Sequence, residues 1–513
     1  PRASIHLSTG TQRAARRLPL LNATQYLEFF NESAENDGYG EDYYGVVGQD
    51  DLAGIDWQDQ VLRSAPVRNL ELGLTGGDER VRYAVNGGWF DQTGIVIGSA
   101  YQRASGRANL DFSPSEKLSF AASVAISREV TERIENDGSS TGIITNVVGN
   151  SPVVPARRQD GTFTGPSDGL EYPNSLALGT LNDASARTFR TLGTVEGVYR
   201  FTDALRFTSR VGFDVLGLRE TQYESPKVAG TYAASSGGVA KSGHTTASRL
   251  ALDNFVTLDQ LLGGRHALDL TAGTSVELND GELSFVRGER LSNDQLHEVR
   301  NAAVIVEGDA TAFEHNLVSF FTRANYTFDD RVILGASVRW DGSSRFGTEH
   351  RYGLFPAVSA AWVVSNEGFL QSVSAIEELK VRASYGVTGN QAISNYPFQG
   401  LVGSANYGDD PGLAPSNFAN PDLKWESTRQ LDLGVDLLLL GGRVGLTADV
   451  YDKDTRDLLL DRPITSTSGF TSVFANVGSV RNRGVEFGLR TVNLEPADAR
   501  GLRWSTELNL AAN

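Results

Sequence analysis

Apolar and polar residues alternate with a period of two along most of the chain. In 379–388, Leu379, Val381, Ala383, Tyr385 and Val387 hold the odd positions; Lys380, Arg382, Ser384, Gly386 and Thr388 hold the even ones. In 430–437, Leu431, Leu433, Val435 and Leu437 alternate with Gln430, Asp432, Gly434 and Asp436. Similar stripes run through 266–278, 314–328, 332–340 and 444–451. Successive side chains of a strand point to opposite faces, so each stripe predicts a strand with one apolar and one polar face. Strands covered on both faces would be continuously apolar. About seventeen such segments can be counted, each offering about the 9–11 residues that a tilted membrane strand needs.

The connections carry a second pattern. Tight turns at 76–79, 113–117, 202–204, 262–265, 329–331, 441–443 and 496–501 alternate with long stretches at 134–186, 223–246, 279–313, 388–424 and 460–475. Sandwiches and propellers have no reason to sort their connections in this way. An antiparallel transmembrane β-barrel does, with short periplasmic turns and long extracellular loops. The exception is 365–378 on the turn side, where a short helix over 367–376 is expected. Within 22–36, Ala23, Tyr26, Leu27, Phe30 and Ala34 recur at helical spacing, and Asn22 is a suitable N-cap. A large soluble antiparallel sheet is the competing architecture. Trp89, Phe90, Tyr199, Phe201, Tyr326, Phe328, Trp340, Trp362 and Trp504 weigh against it, because they fall near strand ends, where membrane barrels carry aromatic girdles. The odd strand count leaves 502–512 ending on the loop side. Bacterial single-chain barrels have even counts, so further strands are expected beyond this one.

Composition narrows the chemistry. The 513 residues contain no cysteine, so disulfides, thiolate metal sites and a cysteine nucleophile are excluded within this chain. Lys and Arg total 46 against 63 Asp and Glu, a net charge of −17 that opposes nucleic-acid binding. No apolar run approaches the ~20 residues of a membrane helix. The six histidines are scattered without ligand spacing and no catalytic cluster emerges, so no enzyme activity is expected. The acidic stretch 32–56, with Glu32, Glu35, Asp37, Glu41, Asp42, Asp50, Asp51 and Asp56, has the oxygen atoms for a loop calcium but not the EF-hand spacing. A solvated loop is the favoured reading, and no cofactor is expected. Tyr39, Tyr43, Tyr44, Trp57, Tyr396, Phe398, Tyr407 and Phe418 lie in polar, Gly- and Asn-rich loops. Flat rings among amides and carboxylates suit sugars or peptide side chains, so these residues are the substrate-binding candidates. The acidic loops disfavour anionic polymers through like-charge repulsion.

Ordered motifs then suggest a family. DWQDQVLRSAPVRNLELGLTGG at 56–77 leads to WFDQTGIVIGS at 89–99. SVRWDGSSRFG at 337–347, YGLFPAVSAAW at 352–362, LKVRASYGVTGNQAISNYPF at 379–398, NPDLKWESTRQLDLGVD at 420–436 and NVGSVRNRGVEFGL at 476–489 follow. In this order they resemble the SusC/RagA family of TonB-dependent outer-membrane receptors and transporters. The resemblance implies a barrel of about 22 strands around a plugged lumen in the outer membrane of a Gram-negative bacterium, in contact with its lipids. The whole of 1–513 would belong to that barrel. The opening PRASIHLSTGTQ resembles the first barrel strand after the plug, so the plug is expected upstream of this chain and about five strands beyond it. Implied partners are a SusD-like surface lipoprotein and the TonB–ExbB–ExbD complex, acting on the plug. The implied activity is import of glycans or oligopeptides. A passive porin-like channel and a surface adhesin barrel are the alternatives.

Overall fold

The computed structural model describes residues 1–39, 54–135, 138–408, 410–496 and 501–513. Its strands begin with β1 (Arg2–Gln12), β2 (Ala65–Gly77), β3 (Val81–Thr93), β4 (Ala100–Ser115) and β5 (Leu118–Glu132). Then come β6 (Asp183–Arg200), β7 (Leu205–Glu224), β8 (Val239–Leu262), β9 (His266–Leu291) and β10 (Ala302–Phe328). After them run β11 (Val332–Ser343), β12 (Tyr352–Val363), β13 (Ile376–Asn390), β14 (Val402–Ser404) and β15 (Leu413–Pro415). The series ends with β16 (Glu426–Leu439), β17 (Val444–Arg456), β18 (Leu459–Pro463), β19 (Ser472–Asn476), β20 (Ser479–Leu494) and β21 (Trp504–Ala512).

Seventeen of these strands form one antiparallel sheet. The ladder is a meander: each strand pairs with the next in the chain, the short hairpins β14–β15 and β18–β19 standing outside it. Among the described residues, β1 pairs only with β2, and β21 only with β20. The short turns gather at one end and the long loops at the other, as the sequence predicts. The β2–β3 turn shows how a tight connection is made. The Asp78 carboxylate accepts from the N–H groups of Arg80 and Val81, each at 2.8 Å, and these bonds hold it below the usual carboxylate range. Gly77 has φ 147°, and a Cβ there would collide with the Val81 carbonyl, so only glycine fits.

The two faces separate cleanly. Ile5, Leu72, Val85, Val338, Leu431, Leu433, Val450 and Val485 project, largely uncovered, from one face. On the other face the charges pair. Arg190 meets Asp214, Arg210 meets Glu196, and Arg249 meets Glu277. Arg382 donates to both oxygens of Asp436, at 3.0 and 3.1 Å, and reaches Asp449 at 2.7 Å across Gly434. A side chain at Gly434 would occupy the path of that guanidinium. An apolar outer face and a polar inner face define a transmembrane barrel wall.

Aromatic rings mark two levels of the outer face. Phe112 stacks on Phe120 and Tyr199 packs on Phe201 toward the turn end. Trp340 packs between Phe320 and Tyr352 toward the loop end. In the β11–β12 ladder Val332 faces Trp362 and Trp340 faces Leu354, which sets the two tryptophans eight positions apart. That is about 27 Å along the strand and about 20 Å after a tilt of ~40°, close to the height of an apolar band. Phe90 corrects the sequence reading. It follows Trp89 directly, so it must face inward, where its ring lies 6.0 Å from that of Tyr101.

Two further expectations change. Residues 279–313 are mostly strand rather than loop: β9 and β10 stay paired as far as Leu291 and Ala302. Residues 367–376 form no helix. A 3-10 turn at Val364–Asn366 leads into successive three-residue turns, Leu370 N–H to Glu367, Val373 to Leu370 and Ile376 to Val373.

Leu433 and Asp432 share depth but face opposite ways, and Leu433 is 50% exposed on the apolar face. Leu433→Arg is expected to cost ~2–4 kcal/mol in lipid, and Asp432→Arg far less. Unfolding titrations of the two variants in bilayers check the assignment; equal tolerance would contradict it.

Candidate functional site

The loop end carries folded structure rather than free chain. Helix α1 (Ala23–Asn36) starts at Asn22, whose side chain accepts from Gln25 N–H at 2.9 Å while Gln25 accepts from Asn22 N–H at 3.1 Å. This reciprocal capping box is the helix start expected from the sequence. Helices α2 (Trp57–Val61), α3 (Ile143–Gly149) and α4 (Ser175–Leu181) build a first loop core around Val61, Ile143, Val147, Leu170, Leu178 and Val228.

Buried amides hold that core together. Asn174 donates to the carbonyls of Ala156 and Thr164, at 2.8 and 3.2 Å, and caps α4 by accepting from Ala177 N–H at 3.0 Å. Asn146 and Asn150 both donate to the Pro173 carbonyl. Loops expose many backbone polar groups, so a loop packed into a core needs such side-chain partners. Sequence reasoning did not single out these asparagines; Asn174 ahead of the apolar run Leu176–Leu178 was the available signal. Nearby, Asp168 accepts from Arg158 through both carboxylate oxygens and from Gly165 N–H at 2.8 Å. The Arg158 guanidinium, then the Gly165 amide, hold this carboxyl below its ordinary value of 3.8.

A second core lies over the strands from β10 to β13. Phe346, Ile393, Leu423 and Trp425 are buried together, with Phe398, Phe355 and Phe474 packed against them. Trp425 packs at a tilt on Phe346 and edge-to-face with Phe355, ring centres 5.2 and 5.3 Å away, and its indole N–H donates to the Arg351 carbonyl at 3.0 Å. Asn420 donates to the Phe474 carbonyl and Asn476 to the Lys424 carbonyl, each at 2.8 Å, tying 391–425 to the β18–β19 hairpin. Between these two segments lies a cleft of about 900 Å³, bordered by Arg345, Asn395, Asn417, Phe418, Asp461 and Phe470.

The sequence-derived aromatics scatter across this layer. Phe418 lines the cleft, edge-to-face with Phe470 at 5.7 Å. Tyr407, 90% exposed, sits at the tip beyond β14–β15. Tyr396 is a brace: its hydroxyl accepts from Glu314 N–H and donates to Glu314 C=O, at 3.1 and 2.9 Å. Phe398 packs on the second core. Trp57 is 2% exposed, sealed in the first core with its indole N–H on the Ser151 carbonyl at 3.0 Å, so it offers no ring face to a ligand. Tyr43 and Tyr44 lie outside the described residues, as does much of the acidic stretch read as a solvated loop. Among the described residues no group of three His, Asp or Glu side chains converges to hold a metal ion. Arg345 and Asn395 at the cleft were not singled out from the sequence. They sit within the SSRF and ISNY stretches of family-like motifs, which was the only signal they gave.

An antiparallel wall with one apolar and one polar face, capped by folded loops around a cleft, is the wall of a transmembrane β-barrel. The chain belongs to the family described as "TonB dependent receptor-like, beta-barrel", whose model matches residues 136–513. Proteins of this family are outer-membrane β-barrels of Gram-negative bacteria. Over its full length the chain is 29% and 30% identical to two TonB-dependent receptors of Formosa agariphila, covering 51% and 52% of them. It is 26% identical to the TonB-dependent receptor SusC of Bacteroides thetaiotaomicron, covering 52% of that protein. The chain thus spans about half the length of these relatives. A solved structure of the RagAB peptide importer in an open–open state matches with a TM-score of 0.83 at 22% identity, over 100% of this chain and 60% of that one. A structure of the RagAB peptide transporter matches at 0.80 and 22%, over 96% and 59%.

Two outcomes follow from the loop geometry. Asn174→Ala leaves the Ala156 and Thr164 carbonyls and the Ala177 amide without this partner. It is expected to destabilise the first loop core by about 1–3 kcal/mol, read as faster hydrogen exchange across 156–178 with β6–β10 unchanged. Asp168 is held below its unfolded value, so its stabilising effect is present above pH 3.8 and is lost as pH falls through the lower folded value. Carboxyl-carbon NMR should place its midpoint below 3.8, and Arg158→Gln should move that midpoint back up.

Proposed function

We propose that this chain is the barrel wall of an active outer-membrane transporter that imports oligomeric nutrients, glycans or oligopeptides. A SusD-like surface lipoprotein would cover the loop end. Energy would reach a plug, outside this chain, from the TonB–ExbB–ExbD complex. The observation that carries the reading is the folded loop layer. Two packed cores standing over one end of the wall make a capture surface, which a passive pore does not need. The similarity of the whole chain to about half of the TonB-dependent receptor SusC supports the receptor and transporter class, and the likeness to the RagAB peptide importer supports oligopeptides as one cargo. In this reading Phe418 and Tyr407 are the aromatic contacts to cargo, while Tyr396 and Phe398 hold the cleft in shape. Cargo would be bound and passed inward, with no bond made or broken.

Topology and transport can be tested together. The chain itself carries no cysteine, so Tyr407→Cys and Glu79→Cys each add a single thiol to it. On intact cells a membrane-impermeant maleimide should label Tyr407→Cys and spare Glu79→Cys; the reverse would invert the topology. Excising 402–416 should lower uptake while leaving the barrel assembled, since that hairpin lies outside the main ladder. Uptake that continues without TonB would instead indicate a passive channel, and binding without any uptake an adhesin.

A further inference from the structure

Arg345 is an uncompensated cation at the edge of the cleft. Its Nε donates to Asn395 Oδ1 at 3.0 Å and its Nη1 to the Gln391 carbonyl at 3.2 Å. Both acceptors are neutral, and among the described residues no carboxylate forms an ion pair with it. Burial pulls the guanidinium below its ordinary value, opposed only by the charge of Glu277. Glu277 is already engaged, with Arg249 at 2.5 Å and Asn279 at 3.0 Å. The surroundings are short of partners too. Among the described residues, the buried His315 Nδ1 has no partner, and neither has the buried Oε1 of Gln391, whose carbonyl receives Arg345. A partly buried charge without a counter-ion is costly, and a guanidinium fixed by two hydrogen bonds is oriented before any ligand arrives.

We propose that the cleft takes its ligand by a carboxylate, with Arg345 as the anchor and the Phe418–Phe470 pair as the adjoining apolar wall. This inference rests on the transport reading and adds the cargo's chemistry to it. Two hydrogens of Nη2 and one of Nη1 remain to form a fork to two carboxylate oxygens. One cation suits one negative charge. Asp461 on the same cleft and the net charge of −17 repel densely charged polyanions, so the carboxylate is an isolated one. A uronate sugar or an acidic residue of a peptide would both supply it.

The test uses the full-length receptor, with any surface partner that accompanies it, in lipid nanodiscs. Binding is compared within two pairs of probes: a tetrasaccharide ending in glucuronate against its glucose counterpart, and a pentapeptide with one glutamate against its glutamine counterpart. The acidic member of one pair should bind about tenfold more tightly at low salt, and that pair identifies the source. Arg345→Gln should abolish the preference, and Arg345→Lys should keep part of it. If these variants fail to assemble, Asn395→Ala, which frees the guanidinium but keeps its charge, should lower the ratio of acidic to neutral binding. An absent preference, or one that survives Arg345→Gln or Asn395→Ala, overturns the proposal. TonB-dependent uptake of neutral probes without acid preference would defeat the carboxylate assignment alone. Acid preference in binding with no uptake of any probe would defeat the transport reading alone.

Discussion

Inside a bilayer no water is available to a backbone N–H or C=O, so each must find a partner within the protein. The meander ladder meets this requirement strand by strand, and most other features follow from it. A strand hydrogen-bonded on both edges has only its two faces left to differ, so lipid and lumen impose alternation residue by residue. Charge then goes where water is. Arg382 spans β13, β16 and β17 on the polar face to reach Asp436 and Asp449, and the bare backbone of Gly434 lets it pass.

Beyond the apolar band the constraint relaxes, and the chain uses a different solution. The loops fold into two small cores whose backbone groups are satisfied one at a time by asparagine amides. Asn174 and Asn146 act in one core, Asn420 and Asn476 in the other. The second of these cores borders the cleft, so the rim can hold side chains in set orientations above the wall. Arg345 illustrates the result. On a protein of net charge −17 a guanidinium would ordinarily find a carboxylate, yet this one is held by an amide oxygen and a backbone carbonyl. Local geometry, not overall charge, sets what this part of the rim can attract.

The sequence by itself determined the membrane strands, their faces, the sorting of turns and loops, and the capped start of α1. Each depends on neighbours close in the chain: period two for a strand facing lipid, a capping box at Asn22 and Gln25, glycine at a turn that needs positive φ. Where no lipid faces the strand, the pattern fades. The outer parts of β9 and β10 carry runs such as Val304, Ile305 and Val306 and read as loop, although they stay paired. The tertiary structure alone decided which loop aromatics face solvent. Trp57 and Tyr407 look alike in sequence, both rings among polar neighbours. Only the packing of α2 against α3 and α4 buries the one, and only the projection of a hairpin exposes the other. The setting of Arg345 likewise comes from Gln391 and Asn395, residues about fifty positions away. A face repeated every second residue is written locally, whereas a site assembled from separate loops exists only once they have packed.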